Sequence, residues 1–182
     1  MNPKTQNSPY QNPWPLWVYL VLTLWKVTWL FLCSWTPKFF NPLRLLTLRA
    51  FGATISGTPF VHSKARIEVP WHLIMHHRAC LGESSVAYSL GKIEIMKGAT
   101  VAQEAYLCTG THDFNAPSFQ LITNKIIIEE NAFIGVRAMI MPGITIGKNA
   151  IVGAQSVVTK NVNPDQIGAG NPFREIGLRK SE

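Results

Sequence analysis

The strongest constraint on the fold is an aliphatic residue that returns at every sixth position in the C-terminal half of the chain. The series starts at Ile122 and continues through Ile128, Ile134, Ile140, Ile146, Val152 and Val158. A period of six matches neither the 3.6 residues of a helical turn nor the alternation of an ordinary strand. It is typical of a hexapeptide-repeat β-solenoid, in which three short, flat faces complete one triangular coil. The sequence therefore predicts an all-β, parallel solenoid with the aliphatic residues stacked inside.

Small residues accompany this series at fixed positions. They stand two positions before the aliphatic residue at Ala132, Ala138, Ala150 and Ser156, and directly after it at Gly135, Gly147 and Gly153. This pattern favours tight corners that accept little side-chain bulk.

The same period appears earlier in the chain, in two other phases. Ile55, Val61, Ile67 and Leu73 share one phase, and Ile95, Val101 and Leu107 share the other. The phase is lost after Leu73 and again after Leu107, and each break predicts a loop that leaves the solenoid at a corner. Such loops often carry function. The second loop, residues 108–117, contains His112.

Composition limits the class of protein and its compartment. The chain of 182 residues is predicted to be one domain with an appendage, and its 47% hydrophobic residues are ample for a core. A net charge of +7 indicates a polyanionic partner or an anionic membrane face. No zinc-finger, KH or RRM motif accompanies the charge, so a nucleic acid partner is not expected. Three widely spaced cysteines favour a reducing compartment, the cytoplasm, and no cleavable signal pattern is present.

The N-terminal part differs in kind from the rest, which divides the chain into a helical segment, residues 1–52, and the solenoid, residues 53–182. Residues 1–13 are predicted to form a disordered tail. Residues 14–35 are apolar, with five tryptophans and a single charge, Lys26. Three arrangements fit this stretch: a bilayer span, a helix lying in the membrane interface, or an end cap on the solenoid. Lys26 opposes the first, at a cost of about 2.5–3.5 kcal/mol.

A second, short helix is predicted at residues 41–51. Asn41 is suited to be its N-cap, because Pro42 then occupies the first helical position. Gly52 ends the helix.

His112 is the candidate for chemistry because it lies where the six-residue period is lost. A neutral imidazole on a loop beside a rigid solenoid can take a proton from an incoming hydroxyl group. A lone loop histidine is more often a plain surface residue, so the pattern leaves both interpretations open. The adjacent Asp113 either orients the ring or caps the turn, and capping is favoured.

Three segments together resemble the left-handed β-helix acetyltransferases: the hexapeptide run, the loop Thr-Gly-Thr-His-Asp-Phe at 109–114, and Gly-Asn-Pro-Phe-Arg-Glu-Ile at 170–176. The resemblance covers about residues 50–178. It is strongest for the colanic acid biosynthesis acetyltransferases, relatives of the maltose, galactoside and virginiamycin enzymes. It implies a left-handed coil, an exception to the right-handed crossover rule, and a homotrimer with acetyl-CoA bound between neighbouring solenoids. It also implies that His112 is the general base.

The resemblance also assigns the residues that bind acetyl-CoA. Residues 153–160 match the family's Gly-Ala-x-Ser-Val-Val-Thr-Lys stretch, and 170–174 match its turn beside the nucleotide. The implied cofactor-binding residues are Gly153 and Ala154 along the pantetheine arm, Lys160 and Arg174 near phosphate, and Asn171 and Pro172 in the turn. Two cations and free amides suit the phosphates of CoA.

Two positions depart from the family pattern. Phe173 replaces the usual alanine, which alters the surroundings of the adenine. Thr111 precedes His112 where the maltose and galactoside enzymes have asparagine. Sugar contacts of those enzymes are therefore not carried over to this chain.

Three further histidines raise the question of a metal. Gamma-class carbonic anhydrases share the solenoid and bind zinc through one histidine followed, later in the chain, by a close pair. Here the close group, His72, His76 and His77, comes first and His112 follows. Because the order is reversed, no metal is expected.

Two classes of function follow. The first is an O-acetyltransferase of exopolysaccharide biosynthesis, in which a hydroxyl of a sugar or polysaccharide precursor attacks acetyl-CoA directly, with Cys108 in the core rather than acting as a nucleophile. The second is a non-catalytic trimeric scaffold. The subgroup resemblance and the tryptophan-rich stretch place the protein in the cytoplasm, associated with the inner face of the membrane.

Overall fold

The computed structural model describes residues 14–180, so the predicted tail lies outside the described residues. Two α-helices precede the solenoid: α1 (Leu16–Leu32) and α2 (Asn41–Ala50), with a 3₁₀ turn at Lys38–Phe40 between them.

Five coils of three strands follow the helices. The first three contain β1 (Thr54–Ile55), β2 (Phe60–Val61) and β3 (Arg66–Ile67), then β4 (Leu73–Met75), β5 (Cys80–Leu81) and β6 (Val86–Tyr88), then β7 (Ile93–Ile95), β8 (Thr100–Val101) and β9 (Tyr106–Cys108). A hairpin of β10 (Gly110–His112) and β11 (Leu121–Thr123) comes next. The last two contain β12 (Ile126–Ile128), β13 (Phe133–Ile134) and β14 (Met139–Ile140), then β15 (Thr145–Ile146), β16 (Ile151–Val152) and β17 (Val157–Val158). A sixth, partial coil ends in β18 (Gln166–Ala169), and β19 (Arg174–Leu178) folds back on it; a 3₁₀ turn, Pro70–His72, precedes β4.

Strands from successive coils pair in parallel and build three sheets, one for each face of the triangle. Their orders are β1-β4-β7-β12-β15, β2-β5-β8-β13-β16-β18 and β3-β6-β9-β14-β17. The registers place equivalent aliphatic residues above one another, as in Ile134↔Val152 and Ile140↔Val158. These four side chains are fully buried. Each contributes about 1.5–3 kcal/mol by burial, which explains why the period of six specifies this fold.

The loop predicted between Leu73 and Ile95 is absent, and a complete second coil takes its place. Met75, Leu81 and Ala87 continue the six-residue period and are fully buried. The phase shifts twice, because β4 and β7 each have three residues and both ends of each strand point inward. Alternation along a strand makes such a shift two residues long, so the coil continues without an excursion.

Ile122 was wrongly placed at the start of the C-terminal series. It lies in β11 and pairs with Thr111 in the antiparallel hairpin, outside the coils. The series inside the solenoid begins at Ile126 and Ile128 of β12, which are both fully buried.

The glycines after the aliphatic residues are required by close approach of the next coil. A Cβ added at Gly135 would lie 2.6 Å from the backbone nitrogen of Ala154. The corners themselves are held by residues with left-handed φ three positions after the aliphatic residue, for example Asn131 at 56° and Gln155 at 57°. The prediction that these positions accept little side-chain bulk is confirmed. The cause is the close backbone of the next coil.

Helix α2 covers the open end of the first coil. Leu45 and Leu48 are buried in the same core cluster as the solenoid residues. The predicted N-cap role of Asn41 is wrong, since Asn41 is the first residue of the helix and makes no cap hydrogen bond. Its side chain instead donates to the Pro59 carbonyl at 2.8 Å and accepts from the Val61 amide at 3.0 Å. It satisfies backbone groups of the edge strand β2, which no other strand pairs on that side.

Helix α1 lies along β3 and the following turn. Val18, Leu22 and Trp25 are buried, and the indole N–H of Trp25 donates to the Ile67 carbonyl at 2.8 Å. Lys26 forms an ion pair with Glu68 at 2.7 Å. Within residues 14–180, no helix is both long enough and apolar enough to cross a membrane. Of the three arrangements predicted for residues 14–35, the structure shows the helix folded against the solenoid, with Val18, Leu22 and Trp25 on its buried face.

Candidate active site

The β10–β11 hairpin leaves the solenoid where the third coil would otherwise turn into the fourth. Its root is fixed by Thr109, which is fully buried. The Thr109 hydroxyl donates to the Tyr88 carbonyl at 2.6 Å and accepts from the Gly91 amide at 2.9 Å. The Asn124 amide donates to the Thr109 carbonyl at 2.9 Å and closes the base of the hairpin. The functional loop predicted after Leu107 is therefore confirmed as a loop, and its base is tied to the rigid coil.

His112 is the last residue of β10, and its ring is exposed. Nδ1 lies 2.7 Å from the Phe119 carbonyl oxygen. Because a carbonyl only accepts, Nδ1 carries the hydrogen, and Nε2 of the neutral ring keeps its lone pair. The Phe119 ring stacks on the imidazole with centroids 5.5 Å apart and an interplanar angle of 22°. The hairpin thus favours the tautomer with the hydrogen on Nδ1 and the lone pair on Nε2.

Asp113 caps the turn, as the sequence favoured. Its Oδ1 accepts from the Asn115 amide at 3.0 Å. A carboxylate often accepts the hydrogen bond that orients a histidine ring. For His112, the Phe119 carbonyl takes this place. Sequence reasoning missed Phe119 because a backbone acceptor leaves no mark in the residue type.

Next to His112 is a cleft of about 340 Å³, which we call the His112 cleft. Helix α1 and the solenoid form its walls, and its lining residues are Trp14, Tyr19, Leu22, Glu68, Val69, Tyr88, Leu90, His112 and Leu121. Aromatic rings with a few polar atoms suit a ligand that has both apolar faces and hydroxyl groups. The α1 residues of this wall were not predicted as site residues, because nothing in the local pattern relates them to a loop far along the chain.

The described lining of the His112 cleft contains a carboxylate and two phenols and no thiol. Burial, aided by the charge of Glu68, raises the pKa of Tyr88, so Tyr88 stays a hydroxyl donor. Cys108 was predicted in the core and is instead half-buried at the end of β9. Its thiol donates to the Gly110 carbonyl at 3.2 Å, and burial raises its pKa. A protonated thiol is a poor nucleophile.

A second cleft, of about 190 Å³, lies at the C-terminal end of the solenoid. It brings together two of the predicted cofactor-binding residues, Lys160 and Arg174. Thr159, Asn161, Gln166, Phe173 and Glu175 complete its lining. The His112 cleft and this C-terminal cleft share no lining residue.

The other predicted cofactor-binding residues lie around the C-terminal cleft without lining it. Asn171 and Pro172 are exposed in the turn between β18 and β19, as the sequence indicated. Gly153 follows β16, and its amide already donates to the Gly168 carbonyl at 2.7 Å. Ala154, beside it, is exposed.

Phe173 closes the end of the solenoid. It is partly buried and packs against the core cluster, with its ring over Gly168, where an added Cβ would collide with it. The departure from the usual alanine therefore has a structural role, because an open coil end exposes apolar core.

Comparison with known proteins decides the family. Residues 125–160 match the model of the hexapeptide repeat of succinyl-transferase. The chain is 32% identical over 149 residues to the "Putative colanic acid biosynthesis acetyltransferase" of Escherichia coli (strain K12), covering 82% of each protein. The chain belongs to the hexapeptide-repeat acetyltransferases. The resemblance drawn from the sequence motifs is confirmed, and so is the class of enzyme, an acyltransferase.

Solved structures confirm the fold of this acetyltransferase. A hexapeptide-repeat acetyltransferase of Vibrio cholerae O1 biovar eltor, complexed with acetyl-CoA, matches with a TM-score of 0.81 at 20% identity, over 91% of each chain. A maltose O-acetyltransferase of Clostridium difficile 630 matches with a TM-score of 0.77 at 25% identity, over 92% of this chain and 90% of that one. The predicted parallel β-helix is therefore the fold shared with these enzymes.

His72, His76 and His77, which raised the question of a metal, each have a local partner. His72 is buried, with Nδ1 2.9 Å from the Ser89 carbonyl oxygen. His76 Nε2 lies 2.9 Å from the Glu94 carboxylate, and His77 Nδ1 accepts from the Thr58 amide at 3.3 Å. Among residues 14–180, no three potential metal ligands converge. These contacts give the histidines structural roles.

Proposed function

We propose that this acetyltransferase moves the acetyl group of acetyl-CoA to a hydroxyl group of a sugar or polysaccharide precursor, with His112 as general base. Family membership supports the acetyl transfer. The matching structure from Vibrio cholerae was solved as a complex with acetyl-CoA. The observation that carries the role of His112 is its 2.7 Å contact with the Phe119 carbonyl, which leaves Nε2 ready to accept a proton. Release of CoA thiol from acetyl-CoA that depends on a glycan acceptor tests the proposal.

The reaction needs one displacement. The acceptor oxygen attacks the thioester carbonyl carbon while Nε2 of His112 takes the hydroxyl proton. The tetrahedral intermediate then collapses, the C–S bond breaks, and the imidazolium returns the proton to the sulfur of CoA. The Phe119 carbonyl stabilises the imidazolium because it already accepts the Nδ1 hydrogen. No acyl-enzyme is required, in keeping with the protonated thiol of Cys108.

The lining of the His112 cleft supports a sugar as acceptor. The half-buried ring of Tyr19 offers apolar surface to the C–H face of a pyranose, and Trp14 forms the buried base of the same wall. Glu68 and the hydroxyl of Tyr88 supply an acceptor and a donor for sugar hydroxyl groups. A ring bound between them has a hydroxyl group close to His112.

The C-terminal cleft is proposed to bind the phosphates of acetyl-CoA, with Lys160 and Arg174 as the cations and with Gly153, Ala154, Asn171 and Pro172 along the rest of the molecule. An ammonium and a guanidinium in one cleft match phosphate oxygens. Because the C-terminal cleft shares no residue with the His112 cleft, we propose a homotrimer in which a neighbouring chain completes each site.

The double variant Lys160→Met with Arg174→Met is expected to weaken CoA binding about tenfold to a hundredfold. Each charge-assisted hydrogen bond to phosphate contributes about 1.5–3 kcal/mol, and partial exposure reduces that value. Titration calorimetry with CoA measures the change. The control is Arg78→Met with Lys97→Met, which removes the same charges from exposed corners. Equal affinities for the two double variants would contradict the phosphate assignment.

The outer face of α1 supports association with a membrane surface. Leu16, Leu20, Leu24, Val27, Phe31 and Trp35 follow one another at helical spacing and are between 45% and 78% exposed. We call them the α1 stripe. A continuous apolar surface of this kind is rare on a monomer in water. Since the chain carries a net charge of +7, we propose that an anionic lipid surface covers the stripe.

Leu20→Glu with Leu24→Glu is expected to release the protein from anionic vesicles, because two carboxylates cannot enter the lipid interface without a large desolvation cost. Vesicle flotation measures binding, and Ile176→Glu with Leu178→Glu, at an exposed apolar site on β19, is the control. Light scattering in mild detergent is expected to give three chains for all proteins. A change of that mass in the α1 variant alone would identify the stripe as a subunit interface.

A further inference from the structure

A second groove continues from the His112 cleft along α1. It has a volume of about 410 Å³ and lies between the C-terminal half of α1 and β3. Glu68 lines both spaces, so they meet at that side chain. We call this space the Trp29 groove, after the tryptophan in its wall. Cleft and groove together form one elongated surface that ends at His112.

The walls of the Trp29 groove combine aromatic surface with positive charge. Trp29 is half-buried, and its ring centroid lies 5.1 Å from that of Trp25. Arg66 is exposed on β3 and makes no ion pair within residues 14–180. Lys26, in contrast, is neutralised by Glu68 at 2.7 Å. The groove therefore presents a flat apolar ring beside one uncompensated cation.

We propose that the Trp29 groove is a second acceptor subsite, which binds an anionic group of the acceptor glycan at Arg66. The group is a uronate carboxylate or a glycosyl phosphate, since a guanidinium binds either with two parallel hydrogen bonds. Trp29 stacks on the apolar face of the neighbouring sugar ring. The inference rests on the proposed function and adds the class of acceptor, an acidic glycan.

The separation of the two subsites sets the size of the acceptor. Tyr19 in the His112 cleft and Trp29 in the groove are ten residues apart on α1, which corresponds to about 15 Å along the helix axis. One monosaccharide does not reach both. The acceptor is therefore an oligosaccharide, or a sugar joined to a phosphate-bearing carrier, with its reacting ring at His112 and its anionic group at Arg66.

Binding tests the subsite without relying on catalysis. Full-length protein in the presence of CoA is titrated with three probes: a glucuronate-containing oligosaccharide, the same oligosaccharide with its carboxylate reduced to an alcohol, and that neutral oligosaccharide carrying a glycosyl phosphate. We expect the wild-type protein to bind a charged probe about tenfold to a hundredfold more tightly than the neutral probe. Arg66→Met is expected to abolish this preference. Arg78→Met, which removes an exposed guanidinium elsewhere, is expected to keep it.

Each result decides the proposal. Preference for the glucuronate or the phosphate probe identifies the source of the anion, and its loss in Arg66→Met supports the subsite. Equal affinity of the wild-type protein for charged and neutral probes, or a preference that survives in Arg66→Met, overturns it. Thiol release from acetyl-CoA is measured separately with the same probes. Tighter binding of a charged probe without acetyl transfer would support the subsite and reject the proposed function. Acetyl transfer without tighter binding of a charged probe would support the function and reject the subsite.

Discussion

Replacing His112 with alanine is expected to lower kcat by about 10²–10⁴-fold, the usual effect of losing a positioned general base, with CoA affinity close to that of the wild-type protein. The reason is local: the Phe119 carbonyl holds the Nδ1 hydrogen, and no other imidazole lines the described part of the His112 cleft. Acceptor-dependent thiol release measures the rate, after a panel of sugars and polysaccharide repeat units has identified the best acceptor. Titration calorimetry with CoA gives the affinity.

His77→Ala is the matched control for His112, because it removes an exposed imidazole that accepts a hydrogen bond from the Thr58 amide. Its turnover is expected to stay within a factor of about two of the wild-type value, as for a surface substitution away from the site. Wild-type turnover in His112→Ala would make His112 a structural loop residue. The proton acceptor would then be sought at Glu68, the other base in the His112 cleft.

Trp25→Ala is expected to lower the free energy of unfolding by about 3–5 kcal/mol, the range for truncating a large buried aromatic residue. Trp25 is 2% exposed, its indole N–H donates to the Ile67 carbonyl, and its ring lies 5.2 Å from that of Phe51. Truncation leaves a cavity between α1 and the first coil. Denaturant unfolding in mild detergent measures the change.

Trp35→Ala is the control for Trp25, because this tryptophan, in the turn after α1, is 71% exposed and its N–H donates only to the nearby Phe31 carbonyl. Its effect is expected to stay within about 0.5 kcal/mol. If both substitutions have equally small effects, α1 is not part of the folded core in solution. In that case the wall of the His112 cleft formed by Trp14 and Tyr19 would be lost with it.

The solenoid could be predicted from the sequence because its stabilising contacts repeat. Each aliphatic residue stacks on an equivalent residue of the next coil, as Ile134 does on Val152, so one local spacing specifies parallel sheets and a common core. The second coil is not predictable from the Ile, Val and Leu pattern, because Met75 and Ala87 occupy two of its inward positions. The three-residue strands β4 and β7 also shifted the phase, by two residues each.

The position of His112 was predictable for a related reason. A break in a strict period marks either a loop or a longer strand. The three-residue strands β4 and β7 absorb the break after Leu73, whereas the break after Leu107 is the hairpin that carries His112. The contact that selects its tautomer was not predictable. Phe119 contributes through a backbone carbonyl, which any residue type carries, and only the pairing of β10 with β11 brings that carbonyl to the ring.

Helix α1 shows the limit most clearly. Its apolar composition and its length are properties of a continuous stretch, so the sequence by itself determined that a hydrophobic helix precedes the solenoid. The sequence does not identify the residue that pairs with the charge of Lys26 in that stretch. Its partner, Glu68, is 42 residues away, and only the docking of α1 on β3 brings the two together. Periodic contacts between equivalent residues were thus encoded locally. The two clefts, the paired charge and the wall opposite His112 depend on contacts between distant segments, and only the tertiary structure decided them.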